Sequence, residues 1–431
     1  MTPSARLSAA IEVLGVMETQ HRPASLALKD WGQSHRFAGS GDRAAIGTLI
    51  FDAMRRRASS AFIMGEETPR AILLGALAQT RGLDVEAISR LCDGGRFAPA
   101  PLTEAERAHL ENPGLEAAPD HVKGNYPEWL AASFAAVFGD RAVEAGRALA
   151  DRAPVDLRVN ALKGSRDLAL KQLAHLDPVP TPLSPWGLRI AVGPDGRGPA
   201  LQAEPAYARG LVEVQDEGSQ LAALLAGAEP GQQVLDLCAG GGGKSLALAA
   251  IMDNKGQIFA TDSDGRRLTP SIPRLERAGA RNVQIRAPRG QADILTDLKN
   301  HCDLVLVDAP CTGTGSWRRN PDAKWRTRPS ALNLRLNEQR EVLETAASCV
   351  RKGGALAYIT CSVLREENED QVAAFLAAHP DYLPRDATHM ARKAGVPELA
   401  GHASTFGPGI RLAPHTSGTD GFYVTVLVRG G

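Results

Sequence analysis

The sequence predicts a multidomain α/β protein with a helical N-terminal domain, a small α+β piece and a C-terminal doubly wound parallel sheet. Three observations predict this fold class. The chain has 431 residues, more than one ordinary core supports. Its first part keeps apolar residues at helical spacing. From about residue 211, short apolar runs alternate with helical patterns, as in βαβ units. We place the domains at 1–140, 150–210 and 211–431.

The N-terminal domain is predicted from two amphipathic helical patterns. Each pattern places its apolar residues three or four positions apart, which puts them on one face of a helix. The first face consists of Leu7, Ala10, Ile11 and Leu14, and the second of Ile46, Leu49, Ile50, Ala53 and Met54. Asp42 near the start of the second helix suits the helix dipole.

After Pro154 the helical spacing of apolar residues gives way to short alternating stretches, and this change predicts the remaining elements. Residues 156–160 alternate as in a strand, and a proline-rich turn follows at 178–185, so we expect a small α+β piece. Four buried strands are then predicted at Val234–Leu237, Ile258–Ala260, Leu304–Val307 and Ala355–Ile359. The longest helical pattern lies near Ala331–Val350.

Composition excludes several classes of protein. Hydrophobic residues at 43% and charged residues at 23% are typical of globular chains and argue against disorder. Lys+Arg and Asp+Glu are equal at 49 each, so nucleic-acid binding needs a local patch. Apolar runs such as Ala71–Ala78 are far shorter than the roughly 20 residues of a membrane span. Six cysteines without a CxxC predict reduced thiols. We expect a cytoplasmic monomer without metal or membrane association.

A glycine-rich loop after the strand Val234–Leu237 is the first candidate binding site. Glycines at a strand-to-helix junction let the backbone approach a ligand, and the helix N-terminus offers free N–H groups. The loop consists of Cys238, Ala239, Gly240, Gly241, Gly242, Gly243 and Lys244, followed by Ser245.

Three cofactors compete for this loop. A P-loop fits Gly243-Lys244-Ser245, with Leu304–Asp308 as its acidic strand, but its first glycine would fall at Cys238. A dinucleotide fingerprint would need a third glycine at Ser245. S-adenosylmethionine needs an acid for its ribose diol after the next strand, where Asp262 lies. The same acid suits the ribose of NAD, so spacing alone leaves the choice open.

Two cysteines are expected at the ligand-binding edge of the sheet, because Cys311 and Cys361 each follow a strand. A thiolate that adds to carbon 6 of a pyrimidine activates carbon 5 for methylation, after which a base removes the carbon 5 proton. Asp308 would stabilise that adduct by hydrogen bonds to the ring. Lys244 and nearby arginines would favour the thiolate.

Several motifs together resemble the Sun/RsmB family of RNA cytosine-5 methyltransferases. They cover most of the chain from about residue 150 to the end. The matching segments are Arg158–Asn160, Gln215–Ser219, Asp236–Lys244, Asp308–Gly315, Arg318–Arg326, Tyr358–Ser362, Glu366–Asn368 and Asp420–Tyr423. The helical N-terminus is similar to the NusB-like domain of the RsmB branch, mainly over residues 42–57.

The resemblance implies a role for each matching residue. Cys361 would be the nucleophile, and Cys311 would assist breakdown of the covalent adduct. Asp308 would contact the cytosine and lie near the cofactor, and residues 238–244 with Asp262 would bind S-adenosylmethionine. The chain departs from the family at Gly240-Gly241, where Ala-Pro is usual, and this should loosen the loop. It also lacks the usual acid after the family's third strand, because residues 285–289 read Ile-Arg-Ala-Pro-Arg and no acid precedes Asp293.

A basic stretch with interleaved tryptophans follows Cys311. Arginine, lysine and tryptophan provide the phosphate contacts and stacking that an unstacked RNA strand needs. The predicted RNA-binding residues are Arg318, Arg319, Lys324, Trp325 and Arg326. Because the base must leave its stack to react, we expect single-stranded or locally opened RNA.

The sequence thus predicts S-adenosylmethionine-dependent methylation of a cytosine in RNA. Small-subunit ribosomal RNA is favoured by the RsmB-like layout, and transfer RNA remains open. Two alternatives are a P-loop-like nucleotide hydrolase and a non-catalytic RNA-binding protein, the latter prompted by the missing acid.

Overall fold

The computed structural model describes residues 1–193, 196, 198–288 and 293–431, and the chain divides into two compact units. The first unit contains residues 1–152 and 317–329, with the described residues of 193–197. The second contains residues 153–192, 198–316 and 330–431. Residues 317–329 therefore fold with the N-terminal helices, although they lie inside the predicted range 211–431.

The first unit is helical, and polar N-caps such as Thr2, Thr68 and Asp84 begin several of its helices. Thr103 and Glu106 form a reciprocal capping box at the start of another. The helices that precede residue 152 are α1 (Pro3–Gln20), α2 (Ala24–Ser34), α3 (Ser40–Arg55), α4 (Arg57–Met64), α5 (Pro69–Arg81), α6 (Val85–Leu91), α7 (Glu104–Glu111), α8 (Asp120–Gly124), α9 (Ala131–Phe138) and α10 (Ala142–Ala150).

Residues 317–329 are built into this helical unit by specific contacts. The indole of Trp317 stacks on Phe134 with 6.0 Å between ring centroids. The indole N–H of Trp325 donates to the carbonyl of Met54 at 2.6 Å. The guanidinium of Arg55 donates to the carbonyl of Arg318 at 2.7 Å. Both ends of the segment are thus held by the core of the first unit.

The second unit begins with the small α+β piece that the sequence predicted. Its strands are β1 (Val155–Val159), β2 (Val179–Pro180), β3 (Gly187–Ile190) and β4 (Val212–Val214), in the antiparallel order β2-β3-β1-β4. Its helices are α11 (Arg166–Gln172) and α12 (Pro205–Ala208). The amide of Asn160, directly after β1, donates to the carbonyls of Gly210 and Ala278. That side chain ties the piece to the rest of its unit.

The large sheet has a parallel centre and an antiparallel edge. Its strands are β5 (Gln233–Asp236), β6 (Gln257–Ala260), β7 (Val283–Ile285), β8 (Cys302–Asp308), β9 (Val350–Thr360), β10 (Tyr382–Pro384), β11 (Ile410–Leu412) and β12 (Phe422–Arg429). The order is β10-β12-β9-β8-β5-β6-β7, with β11 beside β12. Strands β5 to β9 pair in parallel, and β12 pairs antiparallel with β9.

Helices cover both faces of this sheet. Alternate residues of one strand pack into different cores, as Val234 and Leu235 do, because successive side chains point to opposite faces. The further helices in chain order are α13 (Glu217–Leu225), α14 (Gly243–Ile251), α15 (Gly265–Leu268), α16 (Ser271–Ala278), α17 (Pro321–Arg326, in the first unit), α18 (Pro329–Cys349), α19 (Glu369–Ala378), α20 (Ala387–Lys393) and α21 (Pro414–Ser417). This architecture confirms the predicted fold class.

The strand order has a switch point beside β5. From β5 the chain moves outward through β6 and β7 on one side, and it then returns to β8 and β9 on the other. In such sheets, ligands bind beyond the carboxyl ends of the strands at this point. Within the described parts of the chain, the structure contains no helix that is both long and apolar enough to span a membrane.

Candidate active site

A cleft of about 1080 Å³ opens at the carboxyl ends of the central strands. Its wall contains the glycine-rich loop, Asp262, Asp308, Cys311 and Cys361. Pockets for single small ligands usually measure about 300–1,000 Å³. The cleft is therefore large enough for a cofactor together with part of a substrate.

The glycine-rich loop adopts a conformation that side chains disfavour. Gly240 and Gly242 have φ angles of 49° and 76°, in the left-handed region. A Cβ atom on Gly242 would lie 2.8 Å from the Cβ of Ser271 on α16. Glycine at this position thus lets the loop and α16 approach each other closely.

Two side chains outside the loop hold it in place. The backbone N–H of Gly240 donates to Asp262 Oδ2 at 3.0 Å. The guanidinium of Arg274 donates to the carbonyl of Gly241 at 2.5 Å. Arg274 is anchored in turn by the buried carboxylate of Glu213. The expected loosening at Gly240-Gly241 is thus opposed by contacts that the local sequence pattern did not reveal.

Ser245 and Lys244, which a P-loop would use to bind a nucleotide, contact other side chains of the protein instead. The hydroxyl of Ser245 donates to the buried Asp236 Oδ2 at 2.6 Å. The ammonium of Lys244 contacts Asp308 Oδ2 at 2.5 Å. A P-loop would instead direct this hydroxyl to Mg²⁺ and this ammonium to phosphates. The geometry therefore disfavours a nucleotide hydrolase.

The burial of Asp236 predicts a pH-dependent stability. Removal from water raises the pKa of this carboxyl group to about 7. Its contribution to stability is therefore full below the unfolded pKa of about 3.9 and is lost as the pH rises through about 7. Relative to Asp236→Asn, the free energy of unfolding should fall by about 2–3 kcal/mol between pH 5 and 8.

Urea denaturation of both proteins at these two pH values measures the effect. The asparagine side chain of the variant keeps a carbonyl oxygen that can accept the hydrogen bond of Ser245, so the substitution removes the titration and retains the contact. If the free energy of unfolding changed equally with pH in the two proteins, the raised pKa of Asp236 would be contradicted.

The two cysteines predicted at the ligand-binding edge lie together, with 3.4 Å between Cys311 Sγ and Cys361 Sγ. They meet because β8 and β9 pair in parallel and end at the same level, with Asp308 opposite Ile359. The backbone N–H of Gly315 also donates to the carbonyl of Cys361 at 2.9 Å. The hydrogen bond with Cys361, together with burial, raises the pKa of Cys311. Cys311 therefore holds its proton more strongly than an ordinary cysteine does.

Other predicted cleft residues are also in place. The side chain of Asp308 is 34% exposed in the cleft wall, where Lys244 holds it. Cys238 is half-buried, and removal from water raises the pKa of its thiol. After β7, the described wall consists of the apolar residues Pro288, Ile294 and Leu295, whereas Arg289 lies outside the described residues. In the described ranges, no group of three or more His, Cys, Asp or Glu side chains could hold a metal ion.

The predicted RNA-binding stretch needs a correction, because the structure buries part of it. Lys324 and Arg318 are 0% and 6% exposed, so neither side chain is available to an RNA phosphate. Burial also lowers the pKa of Lys324 well below its usual range. Trp325 and Arg319 are half-buried, and Arg326 is exposed beside Asp322 at 3.3 Å. Of the predicted set, Arg326 is thus the most accessible side chain.

Two family models match the chain. The model described as "16S rRNA methyltransferase RsmB/F" matches residues 222–428. The model described as "Methyltr_RsmF/B-like, ferredoxin-like domain" matches residues 126–195. Together they cover strands β1 to β3 of the small sheet and nearly all of the large sheet, whereas β4 lies between the two matches.

Curated proteins and solved structures are similar over most of the chain. A probable ribosomal RNA small subunit methyltransferase B of Synechocystis is 32% identical over 312 residues, which are 71% of this chain and 67% of that protein. A ribosomal RNA small subunit methyltransferase B of Sodalis glossinidius is 32% identical over 336 residues, 78% of this chain and 70% of that protein. The crystal structure of PH0851 superposes with a TM-score of 0.73 at 25% identity and covers 99% of both chains. NSun6 from Pyrococcus horikoshii, solved with SFG, gives 0.61 at 22% identity over 71% of this chain and 98% of that one.

Proposed function

Because the chain belongs to the RsmB/F family of small-subunit ribosomal RNA methyltransferases, we propose that it methylates carbon 5 of a cytosine in that RNA. Membership confirms the resemblance that the sequence motifs predicted, whereas the NusB-like assignment of the N-terminal helices stays a prediction. The observation that carries the proposal is the thiol pair Cys311–Cys361, 3.4 Å apart at the edge of the cleft.

S-adenosylmethionine is the cofactor, and the residues of the cleft fit it. It supplies an electrophilic methyl group. We assign the ribose diol to the Asp262 carboxylate, which lines the cleft although its side chain is only 1% exposed and pairs with Arg267. The glycine-rich loop lets the backbone approach the ligand. The apolar wall of Pro288, Ile294 and Leu295 provides packing for the adenine where the family acid is missing.

Cys361 begins the proposed reaction as the nucleophile. Its thiolate forms a bond to carbon 6, and the electron pair of the ring double bond moves toward nitrogen 3. We assign the Asp308 carboxyl group to donate its proton to nitrogen 3 and to accept from the exocyclic amine, with Lys244 holding the group in the cleft wall. Carbon 5 becomes electron-rich and accepts the methyl group.

Cys311 completes the proposed reaction as the base. In the resting pair, the hydrogen bond and charge of Cys361 raise the pKa of Cys311. Once Cys361 is bonded to carbon 6 it is a neutral thioether, so both of these influences end and Cys311 ionises more readily. Its thiolate takes the proton from carbon 5. The ring double bond reforms, and Cys361 leaves as the thiolate.

Nucleoside analysis of a methylation reaction tests the function. The purified protein is incubated with deproteinised small-subunit ribosomal RNA and S-adenosylmethionine that carries a labelled methyl group. The proposal expects labelled 5-methylcytidine, and Cys361→Ala provides the control without product. A different labelled nucleoside would overturn the proposed chemistry. RNA binding without any methyl transfer would support the non-catalytic alternative.

A second cleft in the helical unit supports a contact with RNA. It has a volume of about 410 Å³, and Trp325 lines it together with the apolar side chains of Leu14, Met17 and Met54. Arg326 and Arg328, both exposed, line the same cleft. The Trp325 ring beside exposed arginines suits an unstacked nucleotide and its phosphate, although Glu18, Glu67 and Asp322 line the same cleft. We therefore assign this cleft to the RNA in place of the buried Lys324 and Arg318.

The assignment predicts a change in the salt dependence of RNA binding. In Arg326→Ala with Arg328→Ala, the slope of log K against log salt should become shallower by about 0.7 for each phosphate that the protein no longer binds. Titrations of a single-stranded RNA at several salt concentrations measure it. Arg392→Ala, at an exposed position of α20 outside both clefts, is the matched control. Equal slopes for all three proteins would place the RNA elsewhere.

A further inference from the structure

A buried carboxyl group supports the thiol pair from within the protein. Glu367 ends a short helical turn after β9 and is fully buried. It accepts hydrogen bonds from the backbone N–H of Thr312 at 2.7 Å and from the hydroxyl of Thr312 at 2.5 Å. Thr312 directly follows Cys311 in the chain. One side chain thus makes two contacts to the residue beside the thiol.

The other side of Cys311 is held by the same network. Gln339 of α18 is fully buried, and its side-chain amide donates to the carbonyl of Pro310 at 2.9 Å. The same amide nitrogen lies 3.2 Å from Glu367 Oε1. The residues on both sides of Cys311 are therefore fixed by a continuous pair of buried side chains.

Glu367 belongs to the segment that carries the second thiol. The next residue, Asn368, donates to the carbonyl of Ser362 at 2.9 Å and accepts from the hydroxyl of Thr360 at 2.5 Å. These two residues flank Cys361. Glu367 is therefore anchored to the Cys361 loop, while its carboxyl group holds the Cys311 loop.

We propose that Glu367 is a positioning residue that holds Cys311 within reach of Cys361, an inference that rests on the proposed two-cysteine chemistry. The carboxyl group does not touch the reacting base. It spans the two loops and keeps the sulfur atoms at the contact distance of 3.4 Å. A buried acceptor with three donors is costly to disrupt, because removing it leaves those donors unpaired.

The rate of disulfide formation between the two thiols tests the inference without RNA or cofactor. Diamide takes two protons and two electrons from Cys311 and Cys361, and peptide mass spectrometry identifies the resulting bond. Glu367→Gln retains an acceptor of the same shape and should react within about 2-fold of the wild-type rate. Glu367→Leu removes the acceptor and should react at least about 10-fold more slowly. Equal rates for the wild type and Glu367→Leu would overturn the inference.

A milder variant keeps the test decisive if Glu367→Leu does not fold. Thr312→Val removes the hydroxyl donor and leaves the backbone donor, so it should slow the reaction about 3-fold. An unchanged rate in Thr312→Val contradicts the role of Glu367. In both variants the link between Glu367 and Thr312 is weakened while the cleft is retained, so S-adenosylmethionine affinity should stay within about 2-fold of the wild type.

Activity assays separate this inference from the proposed function. If Glu367 positions Cys311, Glu367→Leu should accumulate the covalent protein–RNA adduct, and Glu367→Gln should restore its release. If the disulfide rates follow the expected order but no 5-methylcytidine forms, the proposed function fails and the positioning role stands. If 5-methylcytidine forms and the disulfide rates are equal, the positioning role fails and the proposed function stands.

Discussion

Replacement of the two cysteines by alanine should give opposite results at the covalent step. Cys361→Ala removes the thiolate that adds to carbon 6, so turnover should fall by at least about 10⁴-fold and no protein–RNA adduct should form. Cys311→Ala leaves addition and methylation intact but removes the base for carbon 5. It should therefore accumulate an adduct that survives denaturing electrophoresis and requires S-adenosylmethionine.

The two substitutions can be compared directly because the two cysteines have similar surroundings. Both cysteines are half-buried in the same cleft wall, so neither substitution opens a large cavity in the core. Cys302→Ala provides a control, since Cys302 is buried at the start of β8, at the opposite end of that strand from Asp308. It should keep turnover and show no accumulated adduct. If the phenotypes of Cys361→Ala and Cys311→Ala were exchanged, the two roles would have to be reversed.

Asp308→Asn should lower kcat by about 10²–10³-fold, the usual cost of removing one group that stabilises developing charge. The side chain lines the cleft beside Cys311, and Lys244 contacts it at 2.5 Å. Asparagine keeps the size of the carboxyl group but has no proton that it can release to nitrogen 3, so the stabilisation of the adduct weakens. Steady-state kinetics with RNA and S-adenosylmethionine measure the effect.

The affinity for S-adenosylmethionine distinguishes this role from a structural one. We expect the Kd of the cofactor for Asp308→Asn to stay within about 10-fold of the wild type, because the glycine-rich loop and Asp262 are unchanged. Lys244→Met provides a related variant, in which the Asp308 carboxyl group is retained but no longer contacts an ammonium group. A normal kcat for Asp308→Asn would remove this residue from the mechanism.

The central sheet could be predicted from the sequence because its strands are buried on both faces. Continuous apolar runs therefore marked β5, β6 and β8 within two residues of their observed bounds, and they marked the second half of β9. The antiparallel edge was less visible. Strand β10 has only three residues, and the side chain of Leu383 within it is exposed. A short edge strand of this kind leaves little periodic signal.

The two thiols could be predicted to lie near one another, because parallel strands end at one edge of a sheet. Their support could not be predicted. Glu367 is 55 positions from Thr312 in sequence, and Arg274 is 33 positions from Gly241. Each contact depends on how distant elements pack, and no local spacing reports such packing.

For the basic stretch after Cys311, the local sequence pattern was visible but misleading. Arginine and lysine beside tryptophan formed a local pattern typical of RNA binding, and the pattern carried no information about burial. Trp317 is buried because Phe134 lies against it, and Arg55 reaches the carbonyl of Arg318 from another helix. These partners precede the stretch by more than 180 positions. Only the tertiary structure separates the exposed Arg326 from the buried Lys324.

The residue that bonds to the target cytosine can be identified by trapping the covalent adduct. RNA that contains 5-fluorocytidine is incubated with the wild-type protein and S-adenosylmethionine. Since fluorine cannot be removed from carbon 5 as a proton is, the adduct should persist and be recovered for peptide mass spectrometry. We expect one modified peptide, with the nucleotide on Cys361. Trapping on Cys311, or methylation of ordinary RNA without any trapped adduct, would contradict it.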